Sequence, residues 1–90
     1  MKCSVAERAQ HFDDQFYFRG LFKTEGLDQF QVKVEKAFND PKFHQASTGQ
    51  GKQGPKYDIP VESSKISGRI VVIAEMFRQC HLRLVTVWRE

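Results

Sequence analysis

Ninety residues provide one hydrophobic core and exclude a second domain, and the core of so short a chain is marginal. The net charge of +3 is uneven: residues 1–43 carry seven Lys/Arg and seven Asp/Glu, whereas residues 44–90 carry seven basic against four acidic side chains. That excess suits an anionic partner for the second half, and an ordinary solvated surface explains it equally well.

Ser4 followed three residues later by Glu7 reads as a capping box, and Val5, Ala9, Phe12 and Phe16 recur at helical spacing. A first helix over residues 5–16 follows, with Ser4, Arg8, His11 and Gln15 as its polar stripe. Gly20 breaks the period, leaving Phe18 to Phe22 as an apolar connector. A second helix starts between Thr24 and Asp28, and Leu27, Phe30, Val34, Ala37 and Phe38 form its apolar stripe. Asp40-Pro41 ends it, and Phe43 anchors one further turn. The set Phe12, Phe16, Phe30, Val34 and Phe38 is expected to pack on one face of a sheet built after residue 55.

From Gln45 to Pro55 three glycines and no large apolar side chain predict a mobile loop. Its Gly49-Gln50-Gly51-Lys52 is not a nucleotide-phosphate loop, because the spacing fails and no strand precedes it. Tyr57, Ile59 and Val61 then alternate as a strand, Ser63-Ser64 gives a turn, and Gly68 to Phe77 reads as a central, nearly all-apolar strand. Residues Arg78 to Cys80 turn the chain into a terminal strand. Strict alternation there puts Leu82, Leu84, Thr86 and Trp88 on one face and His81, Arg83, Val85, Val87 and Arg89 on the other.

The predicted class is α+β: two N-terminal helices packed on a small antiparallel sheet of three or four strands. It forms one domain, with a helical half (1–43), a Gly-rich loop (44–55) and a sheet half (56–90). Cys3 and Cys80 match no metal-ligand spacing and read as separate buried or idle thiols, with a disulfide as the alternative. No metal or other cofactor is called for. The longest apolar run, Ile70 to Ala74, stops at Glu75, too short to span a membrane, and the N-terminus lacks a basic-then-apolar signal pattern. A soluble chain that is not self-exporting is expected.

Helices first, a Gly-rich loop, the strand entry Gly-Pro-Lys-Tyr-Asp-Ile-Pro-Val (Gly54 to Val61) and a final Leu-Arg-Leu-Val-Thr-Val-Trp strand (Leu82 to Trp88) together resemble small toxin nucleases of the barnase/EndoU/colicin/RelE superfamily. The likeness is to C-terminal toxin domains of contact-dependent inhibition and to colicin D-like tRNA nucleases, over residues 27–90 in the order of elements. Thr86-Val87-Trp88 is similar to the hydroxyl-x-Trp pair near the end of colicin D-like domains. Their Lys-His pair on an early helix is not matched, because His11 follows Gln10, so the base stays unassigned. The resemblance implies metal-free cleavage of RNA, tRNA included, and an immunity or antitoxin partner, expected to be acidic against a basic cleft. It also implies action in the cytoplasm of a target cell if the domain is delivered; otherwise the chain is expected to be cytoplasmic.

Such chemistry needs a base for the ribose 2′-hydroxyl, a cation or hydroxyl on the phosphate and an acid for the leaving oxygen. His44, where the second helix meets the loop, is the first candidate base, against a solvated or capping histidine. His11 is the second, against an exposed helix histidine, and His81 reads as a turn residue. Arg83 and Arg69 can clamp phosphate or pair with Glu75 or Glu62 across strands. Thr86 offers a hydroxyl to phosphate or simply a good strand residue, and Trp88 a stacking face or an interior packing group. Lys52, Lys56 and Tyr57 complete the expected RNA contacts. The competing reading is a non-enzymatic module of phage or bacterial origin that binds protein or RNA.

Overall fold

A computed structural model describes residues 3–21, 26–43, 47–62 and 69–89. The elements run β1 (Ser4–Arg8), α1 (Gln10–Phe18), α2 (Leu27–Phe38), β2 (Gly49–Gln50), β3 (Pro55–Val61), β4 (Ile70–Arg78) and β5 (His81–Arg89). They build one five-stranded sheet in the order β1-β5-β4-β3-β2. Strand β1 lies parallel to β5, and the other pairs are antiparallel. The α+β class is therefore present, with a mixed sheet of five strands where an antiparallel one of three or four was expected.

Both helices lie on one face of that sheet, as their apolar stripes require. Phe12, Phe16, Phe30, Val34 and Phe38 are all fully buried. They meet Tyr57, Ile59 and Val61 of β3, Ile70, Val72 and Ala74 of β4, and Leu82, Leu84 and Val87 of β5 in one core. Phe16 and Phe30 meet edge to face with ring centres 5.2 Å apart, and Phe38 does the same with Tyr57 at 5.2 Å. After α2, Phe43 packs on Phe38, with centroids 5.4 Å apart, while Lys42 N–H donates to Asp40 Oδ1.

Residues Ser4–Arg8 are a strand and not the first turn of a helix, so no Ser4–Glu7 capping box exists. Helix α1 begins at Gln10 with extended Ala9 as its N-cap. Long-range partners decide this. On one edge Ser4 N–H donates to Cys80 O and Ala9 N–H to Leu84 O, at 3.1 and 2.8 Å. On the other, Val5 N–H donates to Glu35 Oε1 at 2.7 Å, and Asn39 exchanges two bonds with the backbone of Cys3. Glu35 of α2 and Asn39, its C-cap, thereby cover amides that a bare edge strand would leave open to another chain.

Because β1 lies beside β5, Cys3 meets the β4–β5 turn and forms a disulfide with Cys80, in place of the separate thiols expected. The Gly-rich segment is also more structured than a mobile loop. Its described part adds β2 to the sheet edge, with Gly49 opposite Lys56, and closes a turn through Gly51 N–H to Gly54 O at 2.7 Å.

Strand β5 departs from strict alternation. Ile73 pairs with Thr86 and the next residue, Ala74, with Leu84, so Val85 is an extra residue in a β-bulge. Leu82, Leu84 and Val87 consequently face the core, and Thr86 and Trp88 turn to the side of Arg83 instead of that of Leu82. The expected central strand is β4, Ile70–Arg78; Gly68, the Ser63-Ser64 turn, Thr24 and Phe22 lie outside the described residues.

Candidate functional site

The sheet face turned away from the helices carries the chemistry. Cross-strand register lays its side chains in rows: Lys56, Glu75, Arg83 and Glu7 across β3, β4, β5 and β1; Asp58, Ile73 and Thr86; Pro60, Val71 and Trp88. The first row alternates in sign, an arrangement that stabilises a sheet whether or not a ligand binds. Arg83 Nε stands 3.7 Å from Glu7 Oε2. In the second row Thr48 Oγ1 donates to Asp58 Oδ1 at 3.0 Å, tying the start of β2 to the face.

A groove of about 880 Å³ runs over the first two rows as far as Trp88, walled by Thr48, Gln50, Gly51, Lys52 and Gln53 on one side and by Arg83, Val85, Thr86 and Trp88 on the other. Three cations (Lys52, Lys56, Arg83) and two acids (Asp58, Glu75) line it, a small positive excess. Lys56 and Arg83 flank β4, two strand spacings or roughly 10 Å apart. Glu75 of β4 stands between them in the same row. The β5 bulge is what gathers Arg83, Thr86 and the half-buried Trp88 on this one wall.

Of the site residues expected from the sequence, Lys52, Lys56, Arg83, Thr86 and Trp88 line this groove. Tyr57 points the other way, buried under Phe38 in the core. Arg69 is exposed just before β4 and is not part of the groove lining. His11 is exposed on α1, in the helical layer across the sheet. His81 opens β5, its Nδ1 2.8 Å from Gln79 O. His44 lies outside the described residues; its chain neighbour Phe43 lines a second groove of about 640 Å³ with Lys33, Lys36, Lys42 and Pro60.

Sequence reasoning treated Glu75 only as an ion-pair partner for arginine. The structure buries it to 4% exposure on the groove floor, where Gln53 N–H donates to its Oε2 at 3.2 Å. The readable signal was an acid closing an unbroken apolar run, which places a charge on a central strand. Among the described residues no group of three His, Cys, Asp or Glu side chains is arranged to hold a metal ion. Among them, too, no helix is long and apolar enough to cross a membrane. Compared with known proteins, the chain matches no family model, and no curated protein or solved structure is significantly similar to it.

Proposed function

We propose that the open sheet face binds single-stranded RNA and that the chain is a small toxin ribonuclease acting there by general acid/base chemistry. The observation that carries this reading is the gathering of Arg83, Thr86 and Trp88 with Lys52 and Lys56 on one groove, through a bulge that breaks the alternation of β5. Arginine and lysine suit backbone phosphates, a threonine hydroxyl suits a non-bridging phosphate oxygen, and an accessible indole face suits an unpaired base. A base held in a duplex cannot reach such an indole, so a single strand or a loop, as in tRNA, is the fitting substrate. The Cys3–Cys80 bond suits a chain that folds in an oxidising compartment before delivery to a target cytoplasm, and an acidic immunity protein would block the same cations.

Cleavage and equilibrium binding measured on one RNA test this. Arg83→Ala and Thr86→Ala are expected to slow single-turnover cleavage by about a hundredfold or more while changing affinity far less, because both act on charge that develops in the transition state. His44→Ala should bind RNA and be inactive, and His11→Ala, across the sheet, should cleave like the parent. Products should end in a cyclic phosphate. Full cleavage by Arg83→Ala and Thr86→Ala would remove the groove from the chemistry. A parent that binds RNA and leaves it intact would instead establish the second reading, an RNA-binding regulator, favoured by one observation: the groove lining among the described residues contains no histidine.

A further inference from the structure

We infer that Glu75 is a positioning residue, the fastening point that holds the Gly51–Gly54 turn on the sheet and thereby sets Lys52 over the groove; this rests on the RNA-binding reading above. Within a groove for an anion, a carboxylate is electrostatically the wrong group. Its burial therefore needs another reason.

The geometry provides one. A Cβ on Gly51 would lie 2.6–2.7 Å from Cδ, Cγ and Oε1 of Glu75, so the turn backbone rests directly on the carboxylate. Two residues on, Gln53 N–H donates to Oε2 at 3.2 Å. At the far end of the turn, a Cβ on Gly54 would collide with the Met76 carbonyl oxygen, so the chain touches β4 there as well. Lys52, exposed, sits between these two close approaches. A buried acceptor that satisfies a turn amide fixes the turn, since leaving either group unpaired is unfavourable. Lys56 and Arg83 are its neighbours in register on the two flanking strands.

Positioning and simple electrostatics give opposite signs. If Glu75 only repels phosphate, Glu75→Ala and Glu75→Gln both tighten RNA binding. If it fastens the turn, Glu75→Ala loses the Lys52 contact, whereas Glu75→Gln keeps an acceptor oxygen for Gln53 N–H and binds as well as the parent or better. The probe is a labelled single-stranded 2′-O-methyl RNA, which cannot be cut through its 2′-oxygen. One lost single-strand phosphate contact lowers the salt slope by about 0.7, or about fivefold in affinity near 0.1 M salt. Glu75→Ala is expected to show that loss, and to show no further loss in a Lys52→Ala background. Tightening by Glu75→Ala, or an undiminished loss when Lys52 is already absent, would overturn the inference. Amide exchange separates its failure from failure of the RNA reading: even with no RNA bound, the Gln53 amide should exchange about tenfold or more faster in Glu75→Ala and near the parent rate in Glu75→Gln. An unchanged Gln53 rate in Glu75→Ala overturns the inference whatever the RNA does.

Discussion

Phe30→Ala is expected to destabilise the protein by about 3–5 kcal/mol, the usual loss for emptying a buried phenylalanine site. Phe30 is fully buried, with its ring centre 6.3 Å from that of Phe12 and 5.2 Å from that of Phe16. It joins α1 to α2 over the sheet, so the void would open where three rings meet. Domains of this size are stable by about 5–15 kcal/mol, so the variant would be left with little margin. Thermal unfolding followed by circular dichroism should show a melting temperature lower by about 12 °C or more. A variant that melts within a degree or two of the parent would mean that this face of α2 is not the core face.

The helices were readable because their signal is local: Phe12 with Phe16, and Phe30 with Val34 and Phe38, recur at the helical period whatever the rest of the chain does. Strand β1 was not, because Val5 and Ala9 fit the same period as Phe12 and Phe16, and what makes residues 4–8 extended is pairing with β5 and with Glu35 and Asn39, which lie far along the chain. The candidate site was legible as a set of residue types and not as a surface. Lys52, Lys56, Arg83, Thr86 and Trp88 could be named from their chemistry, but the bulge at Val85 that brings Thr86 and Trp88 to the side of Arg83 carries no glycine or proline to mark it. A one-residue slip in a strand exchanges its faces, so this one unmarked residue decides which side chains share a groove.

Breaking the Cys3–Cys80 bond is expected to lower stability by about 4 kcal/mol, comparable to the loss at Phe30. The bond spans 77 positions, nearly the whole chain, so in the unfolded state it closes a very long loop, and removing it restores that conformational freedom. It also holds the start of β1 against the turn between β4 and β5, where Ser4 N–H already donates to Cys80 O. Without the bond, β1 would keep its backbone pairs and the contacts of Glu35 and Asn39, so the same fold should persist at lower stability. Urea unfolding of the parent with and without reductant, and of the double variant Cys3→Ser/Cys80→Ser, should show the midpoint falling by about 2–4 M in both reduced forms. Mass shifts after thiol alkylation would establish that two cysteines became free. If they do and the midpoint stays where it was, the bond does not stabilise the domain; if the parent yields two alkylated thiols before any reductant is added, the bond is not formed in solution.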